Sequence, residues 1–124
     1  MASTVLRPDP IIKALHGAFC RDVSRQELLQ VAATRIQEVG APYAGVYMYA
    51  VRGGSLELEA SAGHPRDITS VPVGQAVKSD LVVMIRLHEQ ILGEIAIDSD
   101  IPDAFGEAEE SAVREVADAL AVLL

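Results

Sequence analysis

The pair Gly53-Gly54 separates two stretches of strict two-residue alternation, and this constrains the fold more than any other feature of the chain. Upstream, AGVYMYAV puts Val46, Met48 and Ala50 on one side of an extended segment and Gly45, Tyr47 and Tyr49 on the other. Downstream, LELEASAG sets Leu56, Leu58 and Ala60 against Glu57, Glu59 and Ser61, the pattern of a sheet with one wet face. Paired glycines reach positive φ at little steric cost, so Arg52-Gly53-Gly54-Ser55 closes a hairpin. A second strand pair is expected in SDLVVMIRLHEQILGEIAIDS, turning at His88-Glu89-Gln90. Its first arm is apolar on both faces from Leu81 to Ile85, which predicts a central strand. HPRD, with His64, reads as a loop, and ITSVPV as a short extended piece whose Pro72 suits an edge.

Helical periodicity flanks these strands. IIKALHGAFC, residues 11–20, is expected to form a short helix after Pro10. In SRQELLQVAATRIQEVG, Ser24 and Glu27 have capping-box spacing, while Leu28, Ala32, Ile36 and Val39 make one face before Gly40 and Pro42 stop it. FGEAEESAVREVADALAVLL closes the chain as an amphipathic helix with Val113, Val116, Ala117, Leu120 and Leu123 in its stripe. Glu107, Glu109 and Glu110 complement the positive end of its dipole. Helices at both ends around antiparallel hairpins predict an α+β layer, one domain over 1–124, with 1–23 a helical extension and 24–124 the core. Strict alternation then puts Val46, Met48, Leu81, Val83, Ile85, Ile95 and Ile97 toward the helices, and Tyr47, Tyr49, Arg86, Glu94 and Asp98 on a mixed opposite face.

Composition excludes several classes of function. Eighteen acidic against ten basic side chains give a net charge of −8, which repels nucleic acid and anionic membranes. No apolar run nears the ~20 residues needed to cross a bilayer, and MASTVLRPDP lacks the apolar stretch of a signal peptide, so a cytoplasmic location is expected. Cys20 is the only cysteine, which leaves no second thiol for exchange within the chain and reads as a small buried hydrophobe. His16 and Cys20, four apart, offer a metal only two ligands, and His64 and His88 have no paired partner, so no metal site is expected. Asp98, Asp100 and Asp103 lack the glycine and terminal glutamate of a calcium loop and read as turn and helix-start residues. VPVG lacks the further glycines and lysine of a phosphate loop.

The hairpin GVYMYAVRGGSLELEASAGHP, the pair SDLVVMIRLHEQILGEIAIDS and the closing PDAFGEAEESAVREVADALAVLL together resemble a GAF domain, over roughly Ser24 to Leu124. The run from LGEIAIDSD through PDAF is similar in particular to the GAF enzymes that reduce free methionine-R-sulfoxide. The resemblance implies a profilin/PAS-related antiparallel sheet with helices on one face and a ligand cavity on the other. It also implies a long roofing excursion between VPVG and SDLVV, where this chain has only Gln75-Ala76-Val77-Lys78 between Gly74 and Ser79. The reductases carry catalytic cysteines largely on that excursion, and Cys20 matches none of those positions.

Asp80 and Asp98 align with acidic positions lining the reductase pocket, whereas Ala96 stands where another aspartate is usual. The favoured reading of the residues themselves is plainer: strand-entry polarity for Asp80, and for Asp98 a turn-former ahead of Ser99-Asp100-Ile101-Pro102. With Tyr47 and Tyr49, which offer faces for a planar ligand, they form the expected ligand-binding set. GAF domains commonly pair through terminal helices, and ALAVLL extends the apolar surface of the last helix, so a homodimer through Val116, Leu120, Val122 and Leu123 is expected. The combined expectation is a non-catalytic, cofactor-free regulatory or interaction module with a homodimer or protein partner. The alternatives are a small-molecule sensor with a shallow pocket and, behind it, a sulfoxide reductase.

Overall fold

The computed structural model describes residues 6–63 and 79–124, so the expectations for ITSVPV, His64, VPVG and Gln75–Lys78 lie outside the described residues. Helices α1 (Pro8–Cys20) and α2 (Arg25–Gln37) precede strands β1 (Gly45–Arg52), β2 (Ser55–Gly63), β3 (Ser79–Leu87) and β4 (Gln90–Ser99), and α3 (Glu107–Leu123) ends the chain. The four strands are antiparallel neighbours in the order β2-β1-β4-β3.

Local chemistry sets the element boundaries. Ser24 Oγ accepts the Glu27 amide at 3.2 Å, so the first turn of α2 has a side-chain cap. At α3, the Glu109 carboxylate accepts the Gly106 amide at 3.1 Å, the reach-back half of a capping box. Gly53 and Gly54 have φ of 56° and 83°, the left-handed pair that a two-residue hairpin turn requires. Arg52 reaches Glu57 and Glu59 across that hairpin. Ser79 Oγ donates to the Ile101 carbonyl at 2.6 Å and accepts the Ala104 amide, while Ser99 Oγ accepts the Ile101 amide. These bonds tie the start of β3 to the loop that leads into α3.

The core lies between the helices and one face of the sheet. Helix α2 packs against β2 and β1, α3 against β3, and α1 against both α2 and α3. Val46, Met48, Val83, Ile85, Ile95 and Ile97 are buried from the sheet side, with Leu81 half-buried. Leu29, Ala32 and Ile36 of α2 meet them with Val113, Val116 and Leu120 of α3. Helix α1 contributes Ile11, Leu15 and Ala18, so the N-terminal helix is part of the core rather than an appendage. Complete burial of each large aliphatic side chain is worth roughly 1.5–3 kcal/mol, and this interface is the main source of stability.

Three expectations are corrected. β3 is an edge strand among the described residues, not a central one, and Val82 and Met84 on its outer face are exposed. Its apolar residues outnumber what one core face can bury. Cys20 is exposed rather than buried, because it falls at the C-terminal end of α1, past the Ile11-Leu15-Ala18 stripe. Leu56 and Leu58 are exposed as well, because the β1–β2 register shifts between Met48 and Tyr49. Ala60 pairs with Met48 on the core face, Glu59 is the extra residue, and Leu58 then pairs with Tyr49 on the far face. A bulge of one residue sends the rest of a strand to the opposite side of the sheet.

Candidate functional site

The sheet face away from the helices gathers the residues expected to bind a ligand. Cross-strand partners point to the same face, so the register gives the layout directly. At one end Asp98 lies between Gly45 of β1 and Asp80 of β3. In the next row on this face Ala96 lies between Tyr47 and Val82, and in the next Glu94 lies between Tyr49 and Met84. Leu58 extends the third row onto β2, and Leu56 pairs with Val51 beyond it. Tyr47, Asp80 and Asp98 are thus brought to one end, and Tyr49 stands one row farther off beside Glu94.

Tyr47 departs from the expected open position: it is only 2% exposed. Its neighbours across the strands are Ser61 and Ala96, and two residues back is Gly45, all small. The ring folds back over Gly45, where an added Cβ would stand 2.6 Å from Tyr47 Oη. Gly45 therefore makes the seat in which this tyrosine lies. Ala96, at the position where the resemblance implies an acidic residue, is buried beside it.

Asp80 and Asp98 stand directly opposite each other on neighbouring strands. Like charges so placed destabilise a sheet by roughly 0.2–1 kcal/mol, and a bound cation or ammonium group relieves that repulsion. The pair is thus a place where positive charge is favoured. Asp80 is exposed and Asp98 half-buried, so the site is shallow.

Farther along the same face, Leu56, Leu58, Val82, Met84 and Ile91 are all exposed, Leu58 and Val82 by 48% each. These apolar side chains share this half with Tyr49, Glu94 and Arg86. Strict alternation missed the two leucines because the bulge at Glu59 moves them there. No periodicity in β2 marks the bulge, and the turn signals on either side are satisfied without it.

The helix surface is less apolar than expected. Val116 and Leu120 are wholly buried in the core and Leu123 is half-buried, leaving Val122, 76% exposed, as the outward residue of the four. Core packing consumes the stripe. A recess of about 440 Å³ lies at this end, lined by Phe19, Cys20, Leu28 and Leu123 among others. Another of about 560 Å³ lies along α1 and α2 near Arg21, Glu27 and Arg35. Neither touches the Asp80–Asp98 end. Among the described residues no group of three or more His, Cys, Asp or Glu side chains is placed to hold a metal, and no helix is long and apolar enough to cross a membrane.

No family model and no curated protein matches the chain. Solved structures do. The type II free methionine-R-sulfoxide reductase of Thermoplasma acidophilum is similar at 25% identity, with a TM-score of 0.69, over 80% of this chain and 91% of that one. The GAF domain of an Acinetobacter phosphoenolpyruvate-protein phosphotransferase superposes with a TM-score of 0.72 at 14% identity, over 92% and 90% of the two chains. A phycoerythrobilin-bound GAF domain from a cyanobacterial phytochrome gives a TM-score of 0.77 at 13% identity, over 97% and 95%. Sheet order, helices on a single face and these likenesses agree: the fold of this chain is that of a GAF domain.

Proposed function

We propose that the chain is a non-catalytic regulatory module of GAF type that acts by association, through the outer face of its sheet. The observation that carries this reading is the set of exposed apolar residues on the outer face, Leu56 and Leu58 on β2, Val82 and Met84 on β3, and Ile91 on β4. The thiol complement supports the non-catalytic part. Sulfoxide reduction by cysteine forms a sulfenic acid that a second thiol resolves, and Cys20 is alone in the sequence. Cys20 also stands on the helix side of the sheet, whereas Asp80 and Asp98 face away from it.

The test is turnover. With free methionine-R-sulfoxide, thioredoxin, thioredoxin reductase and NADPH, oxidation of NADPH is expected at the rate of a Cys20→Ser control. Turnover that depends on Cys20 would contradict the reading.

A second reading, a sensor for a small cationic ligand, is favoured by the facing Asp80 and Asp98 beside the seated Tyr47. A ligand held there at 100 times its dissociation constant stabilises the fold by about 2.7 kcal/mol, so a metabolite screen by thermal shift detects it. The sensor reading requires that Asp80→Asn abolish the shift.

A further inference from the structure

Gly17 stands inside α1, although glycine is the poorest helix former after proline. Packing within the described residues leaves room for a side chain there, since an added Cβ would stand 3.6 Å from the Arg21 guanidinium, an ordinary contact. What the glycine does is lower one wall of the groove of about 560 Å³ that runs along α1 and α2. Ala14 and Arg21 continue that wall, and Glu27, Val31, Arg35 and Glu38 belong to the other. The groove lies on the outward side of α2, whose inner side buries Leu29, Ala32 and Ile36. The chain leaves the described residues at Leu6, Gly63 and Ser79, which join the sheet end of Tyr43, Gly45 and Ser99. Gln26 bonds the Glu59 carbonyl and Gln30 the Ser61 carbonyl, so α2 begins away from that end and the groove runs from it toward Arg21.

The charges of this groove follow a definite order. Along α2 it presents Glu27, Arg35 and Glu38, all exposed, with the half-buried Val31 between the first two. Arg21, also exposed, stands just ahead of the Ser24 cap. Val31 is the midpoint of Glu27 and Arg35, and it is also the midpoint of Ser24 and Glu38, the two caps of the helix. The pattern is therefore self-complementary on reversal: a second copy turned end for end about Val31 sets unlike charges opposite each other.

From the glycine and this order of charges we infer that the α1–α2 groove is a homodimer interface, in which two copies pack antiparallel about a two-fold axis that crosses α2 at Val31. Each Glu27 then meets the partner's Arg35, twice per dimer, and each Arg21 stands level with the partner's Glu38. Val31 meets the partner's Val31 on the axis. Ala14 and Gly17 let the two helix pairs close to the roughly 8–10 Å at which helices pack. Antiparallel packing also sets the N-terminal end of each α2 beside the C-terminal end of the other, so the helix dipoles attract. Parallel packing sets Glu27 against the partner's Glu27 and Arg35 against the partner's Arg35, which repels. A second copy carries the matching order by necessity, and this selects it over an unrelated helix.

This inference goes beyond the proposed function: it places self-association on the helix side and leaves the outer sheet face to a partner. Its test is a charge swap on the full chain, followed by sedimentation velocity and native mass spectrometry. Glu27→Arg and Arg35→Glu are each expected to weaken wild-type self-association at least about tenfold, since two attractive pairs become repulsive. The double variant is expected to recover it. A 1:1 mixture of the two single variants is expected to form heterodimers, because Glu27→Arg in one chain then faces Arg35→Glu in the other. Gly17→Ala is expected to keep the fold and weaken the dimer. Val31→Cys, made in a Cys20→Ser chain, is expected to cross-link to a second copy under mild oxidation, because the two thiols meet on the axis. Circular dichroism of each variant confirms folding, as both charged side chains are exposed. Single variants that associate like wild type overturn the inference, as does a mixture without heterodimers. A thiol at position 31 that is shielded from reagents, or that reacts without cross-linking, overturns it too, since the groove is then covered or unpaired. If Val122→Glu instead abolishes association, the groove is wrong and the module pairs through its helix ends. A wild-type chain that stays monomeric throughout overturns the dimer, while the turnover assay judges the non-catalytic reading separately.

Discussion

Asp80 and Asp98 face each other at the open end of the sheet, and the repulsion between them sets a sign that can be measured. Asp80→Asn is expected to raise stability by roughly 0.2–1 kcal/mol in chemical denaturation, because it removes one of two like charges without removing a buried bond. Tyr43 makes an opposite, pH-dependent contribution. Burial pushes its phenol above the ordinary 10.0, the Leu6 amide that its oxygen accepts at 3.1 Å pulls down, and the Glu109 carboxylate adds upward. A raised folded-state value favours the neutral phenol, so its stabilisation is whole below pH 10 and is lost as pH rises through the folded value. Tyr43→Phe should therefore lose less stability than wild type between neutral and strongly alkaline pH. Gly93 is a third diagnostic residue. A Cβ there would run into the Tyr49 carbonyl of the neighbouring strand, so Gly93→Ala is expected to cost more than about 2 kcal/mol, against a few tenths at an exposed surface position.

At the level of elements, most of the fold was legible and the exceptions have identifiable causes. The helices were readable because Ser24, Glu27, Leu28, Ala32 and Ile36 agree on cap, period and face: Ser24 caps α2 by accepting the Glu27 amide, and Leu28, Ala32 and Ile36 are buried. The Gly53-Gly54 turn and the core faces of β1 and β4 were equally readable, since alternation survives wherever pairing is regular. Alternation fails in β2. The bulge at Glu59 leaves Ala60 facing the helices and carries Leu58 and Leu56 outward, and nothing in the pattern of one strand reveals the register of its partner. This gives a clear contrast between leucines. Leu58→Thr and Leu56→Thr are expected to change stability by less than about 0.5 kcal/mol, as exposed positions do. Leu29→Ala, in the core, is expected to cost roughly 2–5 kcal/mol. Comparable losses at Leu58 and Leu29 would mean that Leu58 faces the core and that the register does not shift.

Among the described residues the molecule is a sheet with one face sealed by three helices and another that is partly apolar and partly acidic. The GAF fold was legible in the order of motifs, whereas the outer face was not, because exposure there depends on register and strand order. β3 looked central since its residues are apolar on both faces; among the described residues it pairs with β4 alone, and Val82 and Met84 on its outer face are exposed. The helix ends changed in the opposite sense, since Val116 and Leu120 are spent on the core. The most direct measurement of where the chain associates is amide hydrogen exchange at low and high protein concentration. The account predicts concentration-dependent protection along the α1–α2 groove, over residues 14–21 and 27–38, with none gained at Val122–Leu124. Protection that is independent of concentration in α1 and α2, or gained at the helix ends alone, would contradict it.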